Sequence, residues 1–285
     1  MAMTADAAQT IWLGLVIGNT RLHWAAFSDQ QWLGTWHTDH LSAEQVRHLM
    51  ATQFAPESWQ GIAGSHPPEI ARPPKTVWLA AVVPKQRDLW RGHAQVQEVA
   101  LDCLPLTSLY STLGIDRALA LLGAGSTYGW PILVIDGGTA LTLTAGDRPP
   151  GAETGCFAGG AILPGLSLQV RALPAQTEAL PEIFLPDSLP PRWANTTVEA
   201  IQSGIIHTVI GGLQDYLQDW CQQHPQGQVI FTGGDGDRLL AYLTESASFN
   251  ANTTHKNDPV ASCFRVDENL VFWGLRAYRN QLKGC

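Results

Sequence analysis

The sequence predicts an α/β protein built on a duplicated unit, and three observations carry that prediction. An apolar run, a Gly-containing turn with Thr and a second apolar run occur at residues 11–27, and the same succession returns at 132–145. With 285 residues, 45% hydrophobic and 15% charged, the chain can bury one large or two medium cores. Its 27 glycines and 18 prolines suit a fold in which short strands meet tight turns, although loops between packed helices would use them too.

Residues 11–17 are apolar apart from Gly14 and break at Gly18-Asn19-Thr20 before the run 22–27, which reads as strand, turn, strand. Residues 41–50 open on Ser42-Ala43-Glu44 and space apolar side chains at helical intervals. Residues 76–83 form a short buried strand ended by Pro84, and 87–100 read as a further helix. Residues 113–125 are helical behind Gly114-Ile115-Asp116-Arg117, so the preceding loop delivers a polar pair to a helix start.

From Pro131 the order repeats: strand 132–135, turn Asp136-Gly137-Gly138-Thr139, strand 140–145. Residues 159–165 are a Gly-Gly-x-Ile-x-Pro-Gly loop, 166–173 a helix, and 180–193 a Pro-rich irregular surface crossing. A long helix over 196–216, a buried strand at 229–231 and a closing helix over 270–282 complete the chain. No low-complexity linker separates the halves, so two closely packed lobes are expected, 11–129 and 130–285.

The formal charge of -8 and the lack of a dense basic run argue against nucleic-acid binding, which rests on clustered Lys and Arg neutralising phosphates. Five scattered cysteines (Cys103, Cys156, Cys221, Cys263, Cys285) without a CxxC pair suggest neither a disulfide framework nor a thiolate zinc site, as in a reducing cytosol. The N-terminus has no basic segment followed by an apolar core, and no run reaches the roughly 18 apolar residues of a spanning helix. A cytoplasmic protein outside the membrane is the expectation. His37 and His40 lie three apart in an expected surface loop without further matched ligands, so a structural metal is not expected there. The eleven tryptophans are dispersed beside apolar runs, which favours core or interface packing over a stacking platform.

Three turns carry the chemistry. Ile17-Gly18-Asn19-Thr20-Arg21 exposes backbone N–H groups and a Thr hydroxyl where Gly allows phosphate oxygens to approach, although an ordinary hairpin would look the same. Asp136-Gly137-Gly138-Thr139 sets a carboxylate at a strand end beside two glycines, suited to a cation held against phosphates or, more plainly, to a turn Asp. Thr232-Gly233-Gly234-Asp235 follows a third buried strand. Two such turns facing one another across a cleft, with a third approaching the nucleoside, are what an actin-like ATPase uses to hold a nucleotide. In Gly114-Ile115-Asp116-Arg117, Asp116 suits removal of a proton from an attacking hydroxyl and Arg117 suits an anionic group, while a helix cap followed by a surface Arg is the bland alternative.

Taken in order, Gly18-Asn19-Thr20, Gly114-x-Asp116-Arg117, Asp136-Gly137-Gly138-Thr139-Ala140, Gly159-Gly160-x-Ile162-x-Pro164-Gly165, Thr196-Thr197 ahead of Gly204, and Thr232-Gly233-Gly234 resemble the type III pantothenate kinases. The resemblance implies two RNase H-like lobes of the actin-like ATPase superfamily with a nucleotide cleft between them, and a homodimer. It implies ATP-dependent phosphorylation of pantothenate, with Mg²⁺ and a monovalent cation, K⁺ or NH₄⁺. Carried over by position, Asp116 is the general base, Gly114, Ile115, Asp116 and Arg117 bind pantothenate, and Thr197, seven residues before Gly204, contacts it. Asp136 is the monovalent-cation ligand, and Thr139 with the loop Val16, Ile17, Gly18, Asn19, Thr20, Arg21, Leu22 and His23 contacts ATP.

Two positions depart from the family. Val16 stands where most members carry an aspartate, which leaves Mg²⁺ to the ATP phosphates and waters. Thr107 stands where a Tyr is usual in the pantothenate pocket, with Tyr110 nearby as a substitute. The competing readings are a sugar or acetate kinase of the same superfamily, which should lack the pairing of Gly-x-Asp-Arg with the later Thr motif, and a catalytically weak nucleotide-binding regulator, motivated by Val16.

Overall fold

A computed structural model describes residues 10–62, 72–175, 183–246 and 264–284. They fall into two units, one of residues up to 104, 109–119 and 274–285, the other of 105–108 and 120–273.

The first unit holds a five-stranded mixed sheet of β1 (Ile11–Ile17), β2 (Leu22–Ser28), β3 (Gln31–Thr38), β4 (Thr76–Ala81) and β5 (Val96–Glu98), in the order β3-β2-β1-β4-β5. β1 pairs antiparallel with β2 and parallel with β4. All seven β1 residues are buried, as the apolar run requires of a central strand covered on both faces. β3, which the sequence reading missed, alternates exposed and covered side chains through Gln31-Trp32-Leu33-Gly34 and so offers no apolar run. Helix α1 (Ala43–Ala51) starts at a capping box in which Ser42 and Gln45 satisfy each other's backbone N–H groups.

The helix expected over 87–100 is not formed. Helix α2 covers Pro84–Asp88 and stops before Gly92, whose φ of +84° lies in the left-handed region; β5 then pairs parallel with β4. The core beneath the sheet is aromatic: the Trp24 ring meets Trp36, Phe54, Trp59 and Trp90 at centroid distances of 5.1–6.3 Å.

The second unit holds β6 (Leu106–Thr107), β7 (Ile132–Gly137), β8 (Ala140–Asp147), β9 (Gly155–Pro164), β10 (Gln228–Thr232) and β11 (Phe264–Val266), in the order β11-β10-β7-β8-β9-β6. Without β6, and read from the other end, this is β9-β8-β7-β10-β11. The order and the parallel and antiparallel pairings of the first sheet are repeated strand for strand. The duplication predicted from two turns therefore extends to whole sheets. The expected loop at 159–165 is corrected: Gly159 to Pro164 belong to β9 and pair with β8 as far as Ala140. Side-chain-poor Gly-Gly pairs hide a strand from hydrophobic periodicity.

Helices α3 (Ile115–Tyr128), α4 (Leu166–Ala175), α5 (Thr197–Gln223), α6 (Gly236–Glu245) and α7 (Leu270–Gly284) complete the fold. Of these, α6 was not predicted. In the second unit Leu213, Leu217 and Trp220 of α5 join Leu239 and Leu243 of α6 in a core over β7 and β10. Residues 183–193 carry neither helix nor strand, as expected, whereas 180–182, Cys263 and Cys285 lie outside the described residues. Cys103, Cys156 and Cys221 form no disulfide. Among the described residues no helix is long and apolar enough to cross a membrane.

Candidate active site

The first turn closes β1 onto β2, with the Gly18 N–H donating to Arg21 O at 3.1 Å and Asn19, Thr20 and Arg21 exposed at its tip. Val16 and Ile17 are buried in β1 and Leu22 in β2, so these three support the turn rather than face solvent. His23 lies opposite Val16 across the β1–β2 pair and opposite His37 across β2–β3, the two imidazoles meeting edge to face at 4.7 Å. A methyl added at Gly18 would stand 3.5 Å from His23 Nε2, so the imidazole is turned towards the turn. His40 Nε2–H donates to Gly18 O at 2.9 Å, since a carbonyl can only accept. Burial, then His37 and Arg21, lower the His23 pKa to about 4. The expectation that His37 sits in a loop is corrected, because it belongs to β3.

The second turn occupies the equivalent place after β7. Asp136 matches Val16 in the duplicated sheets: its neighbours in register are Thr142 and Thr232, where those of Val16 are His23 and Ala80. One unit thus keeps a carboxylate among hydroxyls, and the other a valine beside an imidazole. Gly138 N–H donates to Ala140 O at 3.1 Å, and Gly165 N–H to Thr139 O at 2.9 Å. Thr139 is exposed and Asp136 half-buried. Gly233, at φ +78°, presses its Cα against this turn: a Cβ there would collide with Asp136 Oδ1 and stand 2.9 Å from Gly137 O. Asp235 N–H donates to Gly137 O at 2.8 Å, and the Asp235 carboxylate accepts from Arg238 at 2.6 Å and from the Ser167 hydroxyl at 3.4 Å.

Backbone this close, stripped of Cβ atoms, is what a phosphate chain needs to reach N–H groups and a Thr hydroxyl. Among the described residues no group of three or more His, Cys, Asp or Glu side chains is placed to hold a metal ion. Asp136 would be a single protein carboxylate on a monovalent cation, while Mg²⁺, which keeps several waters and binds through substrate phosphates, is left to the ATP phosphates and water.

The acid–base pair stands at the start of α3. Asp116 Oδ1 accepts from the Arg117 N–H at 2.8 Å, and a methyl at Gly114 would come within 2.5 Å of the same oxygen, so glycine alone leaves that carboxylate its place. Burial raises the Asp116 pKa, opposed by the backbone N–H groups of Arg117 and of Asp116 itself and by the Arg117 charge. Ile115 is half-buried. Arg117 is buried, and its guanidinium donates to the Tyr110 hydroxyl at 3.1 Å.

Thr196 is the N-cap of α5: its hydroxyl accepts from Glu199 N–H at 3.3 Å and donates to the Glu199 carboxylate at 3.1 Å. With that hydroxyl committed to the cap, the exposed Thr197 in the first turn of α5 is the better placed of the two for a ligand. Thr107 is exposed in β6, paired with Cys156 of β9.

Sequence reasoning thus found the three turns and the Asp–Arg pair. It did not find the Asp235–Arg238–Ser167 set, nor that His37 and His40 border the first turn. The signal for His37 was the two-residue alternation of β3.

A sequence model described as type III pantothenate kinase matches residues 12–219. The type III pantothenate kinase of Nostoc sp. is 42% identical over 284 residues, covering 96% of each chain, and that of Synechocystis sp. is 42% identical over 271 residues, covering 94% of this chain and 90% of its own. In fold, a conserved Baf-family protein of Campylobacter jejuni superposes with a TM-score of 0.56 at 15% identity, covering 96% of this chain and 100% of its own.

Proposed function

The chain belongs to the type III pantothenate kinases, and from that premise we propose how its residues divide the work. It transfers a phosphoryl group from ATP to pantothenate, the reaction that leads into coenzyme A biosynthesis, with a divalent metal.

Asp116 is the general base. The observation that carries this is its setting: a half-buried carboxyl at a helix start, with its pKa raised, next to a buried guanidinium. A raised pKa strengthens a carboxylate as a proton acceptor, and so favours deprotonation of the primary hydroxyl during attack. Gly114, Ile115, Asp116 and Arg117 form the pantothenate stretch, and Thr197 adds a hydroxyl; Thr107 is the weaker assignment, since its short side chain stands in a strand. Val16 to His23 and Thr139 contact ATP: Gly18 to Arg21 through backbone N–H groups and the Thr20 hydroxyl, Val16, Ile17 and Leu22 as support, and His23 through Nε2. Mg²⁺ bound with ATP supplies charge neutralisation on the phosphoryl group.

Asp136 holds the monovalent cation, K⁺ or NH₄⁺. A homodimer in the cytoplasm, with lobes divided near 129/130, completes the reading.

The test is ATP-dependent phosphorylation of pantothenate by purified protein with Mg²⁺, with and without K⁺, beside Asp116→Asn, Asp136→Asn and a panel of sugars. Turnover raised by K⁺ and lost in Asp116→Asn supports base and cation together. Turnover indifferent to K⁺ removes the role given to Asp136, and ATP binding without turnover on any acceptor removes the kinase reading.

A further inference from the structure

We propose that His40 is a positioning residue for the phosphoryl donor: it holds the Gly18 carbonyl, and so aims the Asn19 N–H, at the other end of the same peptide plane, towards the phosphate chain. This rests on the reading of Val16 to His23 as an ATP contact.

Gly18 has no Cβ to narrow the rotation about its Cα–C bond, so the peptide plane that follows it is set by whatever grips its carbonyl. The plane before it is held by backbone at both ends, Ile17 O accepting from Val82 N–H at 3.1 Å and Gly18 N–H donating to Arg21 O at 3.1 Å. The plane after it is held by a side chain, His40 Nε2–H donating to Gly18 O at 2.9 Å. The Gly18–Asn19 bond is trans, and across a trans bond the C=O and the N–H point in opposite directions. With its carbonyl turned to His40, this plane directs the Asn19 N–H away from the imidazole, at the exposed tip of the turn.

The imidazole is itself seated. It follows β3, whose Thr38 pairs with Leu22 at the foot of the turn. Leu41 is buried, and its carbonyl accepts from Gln86 Nε2 at 3.2 Å. Ser42 then caps α1. His40 is half-buried and Asn19 exposed, so the side that holds the plane is shielded and the side that faces outward is open to a phosphate oxygen. An N–H fixed before its ligand arrives needs no reorganisation to meet an anion. Val16 gives this turn no carboxylate to bring a metal against the phosphates, so its grip on ATP depends on the aim of its N–H groups and the Thr20 hydroxyl. All of these residues lie in the first unit.

The experiment measures the Michaelis constants for ATP and for pantothenate, with kcat and the urea midpoint, in the native enzyme, His40→Met, His40→Gln and Thr20→Val. Methionine is of similar length and has no donor, whereas a glutamine amide can donate to Gly18 O as Nε2–H does. His40→Met is expected to raise the Michaelis constant for ATP about tenfold or more, the scale of one hydrogen bond to a charged group, with that for pantothenate and kcat at saturating ATP within about twofold of native. His40→Gln should recover most of the loss. If His40→Met keeps the native constant for ATP, or raises both Michaelis constants alike as the urea midpoint falls, or is not improved on by His40→Gln, the proposal falls. Thr20→Val separates the two levels: a raised constant for ATP there beside a native one in His40→Met leaves the turn as an ATP contact and removes His40 alone, whereas native constants in both remove the turn from the ATP site.

Discussion

Asp116 and His23 are each held by burial away from their charged forms, with opposite consequences on the pH axis. The carboxyl of Asp116 has a folded pKa above its unfolded value, so its contribution to stability is fully present below the unfolded pKa and is lost as pH rises through the folded one. Once ionised, the side chain therefore costs stability. Asp116→Asn keeps an oxygen for the Arg117 N–H and should reduce turnover by about 100-fold or more, while raising the thermal midpoint at pH 7. Scanning calorimetry from pH 8 to pH 4 should show that gain shrinking as the native carboxyl protonates. An activity loss accompanied by a lower midpoint at neutral pH would count against the buried-base account. His23 behaves inversely. Its folded pKa of about 4 lies below the usual 6.5, so its contribution is present above 6.5 and is lost as pH falls from there to about 4. The penalty is on the order of 3 kcal/mol at full extent, and His23→Gln should flatten the acid limb of urea stability between those pH values. At this scale the sequence named both residues. It did not contain their burial, which depends on strands and a helix brought from elsewhere in the chain.

Elements place the turns, and one glycine shows how tightly. Gly233 follows β10 with its Cα against the turn that follows β7, at a positive φ, where an added methyl meets Asp136 Oδ1 and the Gly137 carbonyl. Gly233→Ala should cost about 1–3 kcal/mol from overpacking and backbone strain. Because it displaces the Asp136 carboxylate, it should also weaken any cation dependence of the reaction, measurable as a changed K⁺ response at equal protein stability after correction by the urea midpoint. The elements themselves were unevenly legible. Unbroken apolar strands such as β1, β7 and β10 stand out because both of their faces are covered. β3 alternates, β9 carries Gly159-Gly160, and β5 is three residues after a left-handed glycine, so their pairing comes from neighbours and not from composition. The expected helix at 87–100 failed for the same reason: helical spacing was present, but Gly92 breaks it and β4 offers an edge.

At the scale of the molecule, one strand order is used twice, and the two copies have diverged where the chemistry lies: Val16 in one sheet, Asp136 at the matching position of the other. The repeat was visible in the sequence as two similar turns; the divergence has a physical meaning only once the registers are aligned. The first unit is also discontinuous, taking residues 274–285 from the far end of the chain. There Gly274 packs directly on the backbone of Leu119, Tyr278 meets the Trp78 ring edge to face at 5.7 Å, and Arg279 lies 4.7 Å over the Trp12 ring. Ending the chain at Trp273 should therefore destabilise the first unit by roughly 3 kcal/mol or more, read as a lower urea midpoint of tryptophan fluorescence, although the deleted residues are distant from that unit in sequence.

The same feature has a consequence in time. During synthesis the strands of the first unit leave the ribosome before the second unit, with Trp12 and Trp78 among them, yet their covering residues Tyr278 and Arg279 are translated after it. The second unit, made of residues 105–108 and 120–273, has its strands complete before that point. The unit begun first is thus completed after the other, and a nascent chain stalled between residues 273 and 278 would hold an aromatic sheet still awaiting its cover.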